Sequence, residues 1–127
     1  MDLATYVKFF LGNLSSQFTR KDDAKTLEQL LVEAKQYWDP VLPRKADADT
    51  RLDSVEISGN QFVMNSTLFT VDKEELDPDE FASVLKPILV AEAHRRKRLS
   101  RILAKGGCLT YRYVDMNGEP VTDITIS

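Results

Sequence analysis

Residues 51–127 constrain this chain more than any other stretch. They read as hairpin, helical segment, hairpin, with a stop signal at each joint. The sharpest joint is Asp77-Pro78-Asp79-Glu80. Asp77 fits a helix cap and Pro78 the first helical position, where a missing N–H costs nothing. Glu80 falls at the third position, from which a side chain can reach back to the cap amide. Phe81, Val84, Leu85, Ile88 and Leu89 then recur at helical spacing, and the stripe resumes in phase at Leu99, Ile102 and Leu103. Pro87 removes one helical hydrogen bond, so a kink or break is expected near the second turn. Gly106-Gly107 ends the helical stretch.

The flanking segments carry strand patterns. Val55 and Ile57 alternate with polar residues, and Gly59-Asn60 is a two-residue turn of the glycine-first kind. Phe62, Met64 and Leu68 share one face of the next strand; Val63, Asn65, Thr67 and Phe69 take the other. After the helix, Leu109, Tyr111 and Tyr113 line one face of a strand. Asp115-Met116-Asn117-Gly118 is a turn, and Val121–Ile126 closes the second hairpin with Ile124 and Ile126 inward. Four strands in two hairpins predict an α+β fold: a four-stranded antiparallel sheet covered by helices on one face.

Two helices are expected ahead of this unit. Asp2 can cap the first, whose stripe is Leu3, Tyr6, Val7, Phe10, Leu11 and Leu14. Phe9 lies outside the stripe and is the first candidate for a partner contact. Asp22 or Asp23 can start the second, with Leu27, Leu30, Leu31, Ala34 and the pair Tyr37–Trp38 on its face. Pro40 ends it, because Asp39 before a proline is pushed out of the helical region. Residues 39–50 read as a polar connector. The expected organisation is one domain over residues 1–127, with a helical part at 1–38 and the hairpin-helix-hairpin unit at 51–127. A chain of 127 residues can bury roughly two-thirds of its unfolded surface, so one core needs no metal or disulfide staple.

Charge is unevenly distributed. Residues 47–80 hold ten acids and two bases, whereas residues 81–107 hold seven bases and one acid. The two blocks can neutralise each other or lie at opposite ends of a helix, an order that the helix dipole favours. The net charge of −3 supports solubility and exerts no general pull toward nucleic acid or anionic lipid. Cys108 is the lone cysteine, which suits a reducing compartment. The first residues lack the basic region and apolar run of a signal peptide, and no stretch reaches the ~20 apolar residues that span a bilayer.

No catalytic constellation emerges. His94 is the single histidine, and nothing marks Cys108 or a serine as its nucleophile. Asp72, Glu74, Glu75, Asp77, Asp79 and Glu80 lack the glycine and twelfth-position glutamate of a calcium loop. One cysteine and one histidine cannot build an ordinary zinc site, and there is no glycine-rich phosphate loop. No catalytic, cofactor-binding or metal-binding residue is therefore assigned, and no cofactor is expected. The sharpest functional feature is basic: Arg95, Arg96, Lys97, Arg98, Arg101 and Lys105. Such a face can bind phosphates or an acidic protein. No aromatic residues interleave with it, and no helix-turn-helix accompanies it, which argues against nucleic acid.

Several of these residues together have a family look. Asp49-Thr50-Arg51-Leu52-Asp53-Ser54-Val55, the Gly-Asn hairpin, Leu85-Lys86-Pro87 in the acid-capped helix, and Gly107, Leu109, Tyr111, Tyr113 and Gly118 resemble a group of small, often exported bacterial α+β proteins of uncharacterised function. The resemblance covers residues 49–127. It implies a bacterial or phage origin and a single α+β domain, and it supplies no catalytic residue. Members commonly carry a signal sequence and cysteines flanking the second hairpin; here Ala91-Glu92-Ala93-His94 has none, nor does the end at Ser127.

The resulting expectation is a soluble, non-enzymatic bacterial protein working through protein contacts, chaperone-like or immunity-like. Phe9, Arg95, Arg96, Arg98 and Arg101 are its candidate partner surface. The partner is another protein, or a second copy held through the N-terminal helix. The alternative is nucleic-acid binding through the basic helix 95–105. A cytoplasmic place is expected, or a periplasmic or exported one if a signal sequence has been removed.

Overall fold

A computed structural model describes residues 24–127 of the chain. The first predicted helix and Phe9 lie outside the described residues. Helix α1 spans Leu27–Trp38, and Asp39–Val41 adds one 3-10 turn. Strands β1 (Arg44–Lys45), β2 (Thr50–Ser58) and β3 (Gln61–Leu68) follow. A 3-10 turn at Lys73–Glu75 leads to α2 (Pro78–Arg95) and α3 (Lys97–Ala104), then to β4 (Cys108–Val114) and β5 (Pro120–Ile126).

The helix ends follow from local chemistry. The α1 start is Thr26 and not an aspartate. The Thr26 hydroxyl accepts from Gln29 N–H at 3.1 Å, and Gln29 Oε1 accepts from the Thr26 amide at 2.9 Å. That reciprocal pair satisfies two orphan donors at once, which a lone acid at position 22 or 23 would not do. Asp77 caps α2 as its sequence predicts, accepting from the Asp79 and Glu80 amides at 3.0 and 3.3 Å.

Pro87 does not break α2, which runs unbroken from Pro78 to Arg95. Its ring sits on the exposed side of the helix, and only its own bond to Ser83 is forfeited. The break falls at Arg96, which is extended at φ −89° and ψ 114°. The basic helix expected over 95–105 is therefore two pieces meeting at an angle.

The sheet has five strands in the order β1-β2-β3-β4-β5 and is mixed, not four-stranded and antiparallel. β2–β3 and β4–β5 are the expected hairpins. Gly59 sits at φ 60° and Gly118 at φ 80°, in the left-handed region that their turns need. β1 arises inside the connector and pairs with the start of β2. The correction lies at the centre, where β3 and β4 are parallel, from Gln61↔Cys108 to Thr67↔Val114. Helix length explains it. Eighteen helical residues span roughly 27 Å, about the length of the eight-residue strand β3. The helix thus carries the chain back to the end where β3 began, and β4 sets out in the same direction.

Register places Val55, Ile57, Phe62, Met64, Leu109, Tyr111, Tyr113, Ile124 and Ile126 on one face. These residues form a core cluster with Leu30, Leu31 and Ala34 of α1, Ala93 of α2, and Leu99 and Ile102 of α3. Trp38 packs on Phe62 with ring centroids 5.7 Å apart, and Phe81 meets Tyr113 edge-on at 5.3 Å. Gly107 is needed where α3 turns into β4. A β-carbon there would lie 2.7 Å from both Ile102 Cγ2 and Leu27 Cδ1.

α2 faces the sheet differently from its predicted stripe. Ala82, Leu85, Leu89 and Ala93 point inward, while Val84 and Ile88 are 62% and 59% exposed. The helix is apolar most of the way round, so periodicity alone cannot choose its inner arc. Phe81 and Val90 pack against the core beside them, so the inner arc mixes large and small residues.

The β4–β5 turn is anchored by Asp115, only 1% exposed. Its Oδ2 accepts from the Lys73 amide at 2.8 Å; its Oδ1 accepts from Asn117 and Glu119 amides at 2.8 and 2.9 Å. The Lys73 bond leads, with the other two, in holding the Asp115 carboxyl below the usual carboxylate range.

Two outcomes follow. Asp77→Ala should cost about 0.5–2 kcal/mol, read as a lower urea midpoint with unchanged slope. Asp115→Ala should lower the melting temperature more at pH 7 than at pH 3. The lowered pKa of Asp115 stabilises the fold above the unfolded value near 4, and that support fades as pH falls through the folded value.

Candidate protein-contact surface

The predicted basic face divides into two groups. Arg95 and Arg96 close on Glu92, which accepts from Arg95 through Oε2 and from Arg96 Nε through Oε1 at 2.8 Å. These two hydrogen bonds, that from Arg95 first, hold the Glu92 carboxyl below its ordinary range. Glu92 is only partly covered, so such pairs contribute a few tenths of a kcal/mol each. One carboxylate offsets one of the two positive charges, and both guanidinium groups stay largely exposed.

Arg98 and Arg101 belong to α3 and turn toward α1. The Arg98 guanidinium lies 3.8 Å from the centroid of the Tyr37 ring, a cation–π contact. Beside it runs a groove of about 320 Å³ lined by Lys25, Leu30, Glu33, Gln36, Arg98 and Arg101. Leu30 gives the groove an apolar patch. The Lys25–Glu33 ion pair, at 2.9 Å, stands on its α1 side. A mostly polar lining with charges of both signs suits a polypeptide segment better than a polyphosphate.

The sequence pairs Tyr37 with Trp38 on one buried face; in the structure the rings meet edge-on with centroids 5.1 Å apart, but only Trp38 packs against the core. Adjacent helical residues point about 100° apart, so only one can enter the core. Trp38 does, while Tyr37 is 51% exposed and receives Arg98. The spacing of Tyr37 from Trp38 was the available signal for this groove. That Arg98 faces it depends on the break at Arg96, which no motif marks.

The opposite sheet face carries a polar ladder. Arg112 reaches Glu56 at 3.3 Å and Asp123 at 3.4 Å across three strands. Thr110 donates to Gln61 at 2.6 Å and lies 3.1 Å from the Thr125 hydroxyl. His94 is exposed on α2, and Cys108 is half-buried at the start of β4. Among the described residues, no three His, Cys, Asp or Glu side chains converge as metal ligands. No described helix is long and apolar enough to cross a membrane.

Beneath the α2–α3 junction lies Tyr111. Its buried hydroxyl has no hydrogen-bond partner among the described residues. Burial pushes its pKa up to about 12, with the nearby Arg96 and Glu92 as smaller, opposed influences.

Solved structures provide the comparison. A candidate secreted protein from Pseudomonas aeruginosa superposes with a TM-score of 0.67 at 18% identity, over 80% of this chain and 88% of its own. The pilotin EpsS of the Vibrio vulnificus type 2 secretion system gives 0.64 at 14%, over 80% and 87%. The type II secretion system pilotin AspS from Vibrio cholerae gives 0.61 at 16%, over 91% and 96%. At these identities the likeness is one of fold. No family model matches the chain, and no curated protein sequence matches it.

Tyr111→Phe tests the orphan hydroxyl. At pH 7 the variant should equal the parent or exceed it by up to about 1 kcal/mol, because no bond is lost and one burial cost disappears. The unfolded chain sheds this proton near pH 10 and the folded chain near 12, so stability falls as pH rises between them. Urea melts at pH 9 to 12 should show a shallower alkaline decline for the variant.

Proposed function

We propose that the protein is a non-enzymatic binding module that holds a protein partner in the groove between α1 and α3, in the manner of a secretion pilotin. One observation carries this reading: Arg98 set against exposed Tyr37 at the edge of a groove lined by charges of both signs around Leu30. Stacked Tyr and Arg are the side chains that most often dominate protein interfaces. The fold likeness to two pilotins supports the same class of role. The neighbours, a candidate secreted protein and two secretion-system components, favour the periplasmic or exported place over the cytoplasmic one. No observation favours the nucleic-acid alternative: Arg95 and Arg96 are engaged with Glu92, and Arg98 with Tyr37.

Site-specific photo-crosslinking in bacteria tests the proposal. A photoreactive residue at Gln36 should give one discrete protein adduct, and the same residue at Glu56 on the far sheet face should not. Tyr37→Ala combined with Arg98→Glu should remove the adduct while leaving the melting temperature within a few degrees. Equal adducts from both positions would sink the groove as the contact site. A salt-sensitive, sub-micromolar affinity for DNA or RNA at physiological ionic strength would put nucleic acid first.

A further inference from the structure

The outer side of α2 is unlike an ordinary solvated helix face. Val84 and Ile88 are 62% and 59% exposed, and Pro87 and Ala91 beside them are exposed as well. At 100° per residue these four occupy an arc of about 100°. Glu80 and Arg95 lie on the same arc, one at each end, both exposed. Among the described residues, the other exposed large apolar side chains are dispersed: Val32, Tyr37 and Val41 on or after α1, and Met116 in the β4–β5 turn.

The strip is complementary about its own centre, the peptide between Pro87 and Ile88. Equally far from that point stand Val84 and Ala91, large against small, and Glu80 and Arg95, acid against base. In an isologous two-fold contact, where residue i meets j, j meets i, so these unlike pairs face each other. We infer that a second copy of this chain docks here, α2 against α2 in antiparallel register. Val84 of each copy then packs against Ala91 of the other, a large residue against a small one. Pro87 and Ile88 meet near the two-fold axis. Glu80 of each copy faces Arg95 of the other, closing the strip at both ends. Arg95 also holds Glu92 within its own helix; its side chain is 76% exposed, so the guanidinium stands open toward a second carboxylate.

A parallel pair would set Glu80 against Glu80 and Arg95 against Arg95, which disfavours that arrangement. A single helix pair buries less than the roughly 1,000 Å² of a permanent interface, so the dimer is weak and concentration-dependent. This surface is separate from the α1–α3 groove, and the inference stands without the partner assigned to it.

Sedimentation equilibrium of the full chain, from about 10 μM to 1 mM, tests it. A monomer–dimer equilibrium is expected within that range. Ile88→Glu should abolish the dimer, since it sets two acids near the axis, while leaving the melting curve unchanged. Glu80→Arg and Arg95→Glu should each weaken association roughly three- to tenfold, since each breaks both copies of an exposed ion pair. The double variant should recover it, because the swapped charges again oppose each other across the two-fold. Melting curves of all variants separate loss of contact from loss of fold. A chain that stays monomeric at 1 mM overturns the inference. So does a dimer indifferent to Ile88→Glu, and failure of the double variant to recover association overturns the antiparallel register.

Discussion

The parallel pairing of β3 with β4 sets the terms for everything around it. Parallel neighbours cannot be joined by a tight turn; the chain must leave the sheet and come back. Here it returns through α2 and α3, and both lie on the face that carries Phe62, Met64, Tyr111 and Ile124. That crossover explains why the core is one-sided. It explains why Gly107 must be small, since α3 re-enters the sheet against Leu27 of α1. It also explains the work of Asp115. The turn at the far end of β4 has to be fixed to the connection leaving β3: the Asp115 carboxylate accepts one hydrogen bond from the Lys73 amide of that connection and two from the turn's own Asn117 and Glu119 amides.

What the sequence disclosed is what short-range chemistry controls. Both hairpins, the Asp77 cap, the stop at Gly106-Gly107 and the inward sets on four strands were legible because turns, caps and alternation are local. Strand direction across the crossover was not, because it depends on matching a helix length to a strand length. The inner arc of α2 was hidden by an excess of apolar residues: Phe81, Val84, Leu85, Ile88 and Leu89 satisfy the period whether or not they are buried. The inner arc mixes large residues with Ala82 and Ala93, and a hydrophobicity pattern gives small residues little weight. The break at Arg96 has no glycine or proline to announce it, whereas Pro87, which does, is absorbed on the exposed side of the helix.

The same break reshapes the reading of the charged segment. Along the sequence, six bases between positions 95 and 105 look like one field. In space they are apportioned: two arginines are spent on Glu92, and Arg98 is laid over an aromatic ring. A guanidinium held against a tyrosine ring has a preferred position, so it can favour a partner by geometry as well as by charge. This shifts the candidate surface from a nonspecific electrostatic one to a small, directional one. Arg98 and Arg101 line the proposed groove with Leu30 and Glu33, beside Tyr37, whereas Arg95 and Arg96 lie outside its lining.

The sheet joins contacts of very different range. Each hairpin closes over a turn of a few residues. The joint between them unites groups such as Gln61 and Thr110, 49 positions apart along the chain. Closing so long a loop has to be compensated by contacts that exist only once α2 and α3 are in place, and pairings of this kind slow folding. Until the helices dock, β3 and β4 each present an unpaired edge. The interval before docking is therefore when this chain is most exposed to pairing with the wrong strand, and the speed of the helical crossover governs how long that interval lasts.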